Sequence, residues 1–114
     1  MARLDDSARA LYRSEMAAAA ATTKPDERWR HLERAHIVSQ PDPWLHTCNH
    51  VAMFRFAVGQ HDRREAIGQV VRIVVAAPGS LTGRYPPEGN TGRVGAGLMT
   101  PMPIPDDIAA TLVA

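Results

Sequence analysis

Between His31 and His50 the chain reads HLERAHIVSQPDPWLHTCNH, which holds four of its five histidines. Imidazole serves as a metal ligand, a general base and a proton switch near neutral pH, so a cluster of this kind has chemistry available to it. Spacing decides which of the four could act together. On a helical wheel Trp29, Leu32, Glu33, His36 and Gln40 share one face, and the tryptophan and leucine mark that face as inward. His31 falls toward the solvent side. Beyond the Pro41-Asp42-Pro43 break, His46, His50, Met53 and Ala57 form a second stripe. A hairpin pivoting on Pro41-Asp42 sets His36 opposite His46 and, one turn away, Glu33 opposite His50. Three imidazoles and a carboxylate brought together suit a borderline divalent ion, zinc first, with nitrogens at about 2.0–2.1 Å. Iron, cobalt and nickel accept the same ligand types. The expected ligands are therefore Glu33, His36, His46 and His50.

Glu15 is an additional candidate, because it shares the apolar stripe of the first helix with Leu4, Leu11 and Ala18. An inward carboxylate there could complete the ligand set, orient an imidazole from behind, or pair with an arginine of another helix. Cys48 falls on the other side of its helix, with Trp44 and Val51, and reads as a small buried residue. The competing reading of the cluster needs no metal: a buried glutamate and histidine can satisfy one another by hydrogen bonding.

The elements that would hold these residues are helical throughout. Apolar residues recur at helical spacing over about residues 5–21. A second helix, with Pro25 in its first turn and Asp26 and Glu27 at the positive end of its dipole, spans about residues 25–40. Prolines 41 and 43 forbid its continuation, and a third helix follows over about 43–58, ended by Gly59. Asp62 and Glu65 have the spacing of a capping box for a fourth helix over about 62–77, which carries Ile67, Val70, Val71 and Val74 on one face. From Pro78 to Ile104 the chain is rich in Gly and Pro and twice reads Thr-Gly-Arg. That segment is expected to wrap the surface, anchored by Met99, Met102 and Ile104, before a short helix over about 105–113. The expected fold is all-α, a four-helix, bundle-like single domain with a long C-terminal wrap.

Charge and composition exclude several functions. Thirteen Lys and Arg against twelve Asp and Glu leave no electrostatic footprint for nucleic acid. No apolar run reaches the roughly 20 residues a membrane span needs, and the N-terminus lacks the apolar core of a signal peptide. One cysteine rules out an internal disulfide. A cytoplasmic protein is expected.

The runs ERAHIVSQ, HTCNHVAMFRFA, GQVVRIVVAAPGSLTGR, GNTGR and PMPIPDDI together resemble a small bacterial domain-of-unknown-function family, numbered 3703, from about Glu27 to Leu112. The resemblance implies no activity. It does imply that Glu33, His36, His46 and His50, with Arg84, Asn90, Thr91, Gly92 and Arg93, occupy characteristic positions. The family pattern continues GNTGR with an Asn-Val-Ser stretch where this chain has VGAGLM, so roles of those polar side chains do not carry over. Three functions follow from these readings. The first is a metal-binding protein of homeostasis or delivery. The second is a metal-dependent hydrolase or lyase in which an open coordination position activates water. The third is a metal-free adaptor whose tail meets a protein partner or a second copy of the chain.

Overall fold

A computed structural model of the chain describes residues 4–82 and 104–112. Every element among them is helical: α1 Asp6–Ala21, α2 Pro25–Ser39, α3 Pro43–Gly59, α4 Arg63–Thr82 and α5 Asp106–Leu112. The all-α expectation is met. The stretch expected to wrap the surface lies, over 83–103, outside the described residues, and with it Met99 and Met102. No described helix is long and apolar enough to cross a membrane.

Local chemistry sets the helix ends. Asp5 caps α1 by accepting from the Ala8 amide at 2.8 Å. Asp42 caps α3 by accepting from the amides of Trp44 and Leu45 at 3.1 and 3.0 Å, and Pro43 sits where its missing donor costs nothing. Asp62 caps α4 through the Glu65 amide at 3.0 Å. The end of α3 differs from expectation. The chain reverses not at Gly59 but at His61, whose φ of 58° lies in the left-handed region. The Asp62 amide bonds the Ala57 carbonyl at 3.0 Å and the His61 amide bonds that of Val58 at 3.0 Å. This is the paired C-terminal lock that glycine usually completes.

The helices pack in chain order, α1 on α2, α2 on α3 and α3 on α4, with α5 laid across α1 and α2. One apolar cluster joins Ala8 and Tyr12 of α1 to Ala35 and Val38 of α2 and Ile108 of α5. The other joins Ala19 of α1, Trp29 and Leu32 of α2, Met53 and Ala57 of α3 and Ala66 of α4. Polar ties reinforce the first. Glu15 is buried, as its place on the α1 stripe implied, and accepts from Arg34 Nε at 2.7 Å while His31 Nδ1 lies 2.6 Å away. Arg34 reaches on to Asp107 of α5. One arginine thus joins three helices.

Helix α4 departs from expectation at its C-terminal end. Its backbone runs through Pro78 to Thr82 rather than stopping near Ala77. A proline withholds one amide from the helical ladder and obstructs one carbonyl, which strains a helix without always ending it. Its four apolar residues do share one face, and that face is outward. Ile67 and Val74 are 67% and 71% exposed, and Val70 and Val71 are exposed with them. The inward stripe is Glu65, Ala66, Gln69 and Arg72. Trp44, 72% exposed, and Val51 likewise face outward on α3, so Cys48 beside them is half-buried rather than part of the core.

A non-glycine residue in the left-handed region costs about 1–2 kcal/mol. His61→Gly should therefore raise the stability of the chain by about 1 kcal/mol. Urea unfolding should show a higher midpoint at unchanged slope; a lower midpoint would contradict the strained turn.

Candidate metal centre

The break at Pro41-Asp42 folds α3 back along α2. The Asp42 amide bonds the Ser39 carbonyl at 2.8 Å. Farther along, Asn49 Nδ2 donates to the Leu32 carbonyl at 2.9 Å. Between these two fixed points three imidazoles meet. His36 Nε2 lies 3.0 Å from His46 Nε2 and 3.1 Å from His50 Nε2, and the latter two are 3.1 Å apart. The rings close into a nearly equilateral triangle of nitrogens, and none of the three residues is more than 7% exposed. Among the described residues they form the compact set of potential metal ligands, with donors within 4.8 Å of one another.

The direction of the protons follows from a chain of one-way groups. The Glu65 carboxylate accepts, so Gln69 Nε2 donates to it at 2.8 Å. The amide is thereby oriented with Oε1 toward His50 Nδ1, 2.6 Å away. An amide oxygen only accepts, so His50 carries its proton on Nδ1 and turns a bare lone pair at Nε2 into the triangle. Three nitrogens in mutual contact cannot all be satisfied by one another when one of them brings no proton. Three imidazoles so placed could hold a metal ion.

Burial keeps the imidazoles in the form a metal needs. It lowers the pKa of His46 from the ordinary 6.5 to about 3, with His50 beside it adding to the effect. Burial also lowers that of His50 to about 4; the Gln69 bond opposes the shift and the charge of Arg72 reinforces it. At neutral pH both imidazoles are uncharged, the form in which histidine can hold a metal.

The structure brings together three of the expected ligands. His36 stands level with the space between His46 and His50, rather than opposite His46 alone. Glu33, one turn earlier on α2, is half-buried and is not one of the compact set. Glu15 is held by His31 and Arg34. His31, expected toward the solvent side, is half-buried against Glu15 of α1 and takes no part in the triangle. The residues that sequence reasoning missed are on α4. Glu65, Gln69 and Arg72 recur at the spacing of one helical stripe and are all buried. Burial lowers the pKa of Arg72, opposed by the Glu65 carboxylate. The regular polar spacing was the available signal, masked by the stronger apolar pattern of Ile67, Val70, Val71 and Val74.

Residues 6–112 match the family described as protein of unknown function (DUF3703), and the chain belongs to that family. No curated protein and no solved structure matches it.

A histidine whose pKa is lowered by folding binds its proton more readily in the unfolded chain. Stability contributed this way is complete above pH 6.5 and is lost as pH falls toward the folded values of about 4 and 3. In the presence of a chelator, urea unfolding at pH 5 should show a loss on the order of 4 kcal/mol, about 2 from each histidine, relative to pH 7.5. His46→Gln combined with His50→Gln should flatten that dependence; an equal slope in the double variant would contradict the assignment.

Proposed function

We propose that this member of the DUF3703 family holds one divalent transition-metal ion on His36, His46 and His50, in a role in metal homeostasis or delivery. The observation that carries the reading is the triangle of three buried Nε2 atoms at 3.0–3.1 Å, one of them fixed as a bare lone pair by the Glu65-Gln69 chain. Direct imidazole contacts alone leave such a triangle unbalanced. An ion with nitrogen bonds of about 2.05 Å would stand about 1 Å out of the plane of the three atoms and complete it. Neutral imidazoles favour zinc, with cobalt, nickel and ferrous iron as competitors for the same donors. Gln69 acts behind the ligands, holding the tautomer and ring orientation of His50, as carboxylates and carbonyls do behind histidine ligands elsewhere.

Calorimetric titration of protein prepared without a histidine tag should show one zinc or cobalt ion per chain. His46→Ala and His50→Ala should each weaken binding by about 100-fold or more, and Gln69→Leu by roughly 10–100-fold. Glu33→Gln and Glu15→Gln should leave affinity within about threefold, since neither carboxylate belongs to the triangle. Equal binding by the native chain and the His46→Ala, His50→Ala double variant would overturn the reading.

A further inference from the structure

Away from the histidines, α1, α2 and α3 line an open groove of about 600 Å³, inside the roughly 300–1,000 Å³ range of small-molecule sites. Its apolar lining comes from Met16 and Ala19 of α1, Leu32 of α2, and Ala52 and Phe56 of α3. None of His36, His46 and His50 lines it, so it stands apart from the metal reading above. The groove is held in shape from beneath. Asn49 Nδ2 donates to the Leu32 carbonyl at 2.9 Å and to the Met16 sulfur at 3.7 Å, which ties α1 and α2 to α3. The buried Trp29 packs its ring against that of Phe56, with 4.9 Å between centroids.

Charge selects what the groove takes. Arg28 and Arg55 also line it, and no carboxylate among the described residues does. Arg28 is fixed twice: its Nη2 donates to the Thr22 carbonyl at 2.8 Å, and its guanidinium carbon lies 5.0 Å from the centre of the Phe56 ring. The neighbouring Glu27 carboxylate is engaged by Thr22 and Lys24 instead. Arg55 is exposed and pairs with no carboxylate among the described residues. Carbonyls at the end of α3, which would repel an anion, are taken by the turn: those of Phe56, Ala57 and Val58 accept from the amides of Gln60, Asp62 and His61. An apolar wall with two guanidinium groups matches a molecule that has an apolar body and an acidic head. A guanidinium presents parallel donors that fit the two oxygens of a carboxylate.

We infer that the groove binds an amphipathic monocarboxylate, about the size of octanoate, with its apolar body against Met16, Leu32 and Phe56 and its carboxylate held by Arg28 and Arg55. The apolar contact supplies affinity, and the arginines select against neutral molecules. A bare apolar groove would take an uncharged amide as readily. Surface arginines without the groove would take any small anion.

Calorimetry on the full chain tests this, after a chelator and desalting have removed any metal that could draw a carboxylate to itself. Sodium octanoate is titrated at constant ionic strength, with octanamide and sodium acetate as comparators. Octanoate should bind saturably, at least about tenfold more tightly than octanamide, which lacks the charge, or acetate, which lacks the body. Arg55→Gln should weaken octanoate binding by about tenfold, and Arg55→Lys, which keeps the charge and loses the fork, should fall between. Arg55 is exposed, so neither change disturbs the core. Ala20→Trp sets a ring on the exposed α1 edge of the groove and leaves both arginines in place; it too should weaken binding by about tenfold or more. Absence of saturable octanoate binding would overturn the inference, as would equal affinity for octanoate and octanamide. So would octanoate binding unaltered by both Arg55→Gln and Ala20→Trp. Each of these failures would leave the histidine reading intact.

Discussion

One directional chain organises the site: Glu65 accepts from Gln69, Gln69 accepts from His50, and His50 is left with a bare nitrogen facing two other imidazoles. Each link is dictated by what its group is able to donate. The chain also explains why α4 turns a polar stripe inward. A helix packed for stability alone would bury Ile67, Val70, Val71 and Val74, yet it is Glu65, Gln69 and Arg72 that are enclosed. Enclosing polar groups is tolerable only when they are paired, and the pairing here leads to His50. The fold gives up apolar burial on α4 to keep one imidazole in one tautomer.

The remaining helices serve the same triangle from a distance. Asp42 caps α3 and fixes where His46 and His50 begin, and Asn49 clamps the middle of α3 to α2. Tyr12 donates to the Leu45 carbonyl at 3.1 Å and holds the first turns of α3 against α1. Glu15, His31 and Arg34 lock α1, α2 and α5 into one unit. A displacement of any of these by a fraction of an ångström would open a set of contacts only 3.0–3.1 Å long.

Much of this was legible in the sequence, and the parts that were not have definite causes. Helix periodicity, the proline break and the cap residues were strong local signals, and they placed His36, His46 and His50 on facing stripes. The finer register was not legible. Wheel positions say which face a residue occupies, but the level at which two helices meet depends on packing among Ala35, Val38, Leu45 and their neighbours. His36 accordingly sits between its two partners, and the compact set is the three histidines. The apolar stripe of α4 was legible but its outward direction was not, because apolar patterning is normally the guide to burial. A conserved rule of thumb, glycine at the end of a helix, failed at Gly59 for a related reason. The residue that reverses the chain is chosen by where the carbonyls of Ala57 and Val58 need donors, and that position is His61.

The most direct measurement is a crystal structure of the zinc- or cobalt-loaded chain, with anomalous scattering recorded on both sides of the metal's absorption edge. The account predicts one anomalous peak at about 2.0–2.1 Å from Nε2 of each of His36, His46 and His50, with Gln69 still bonded to Nδ1 of His50. A peak elsewhere on the chain, or coordination of His50 through Nδ1, would contradict it.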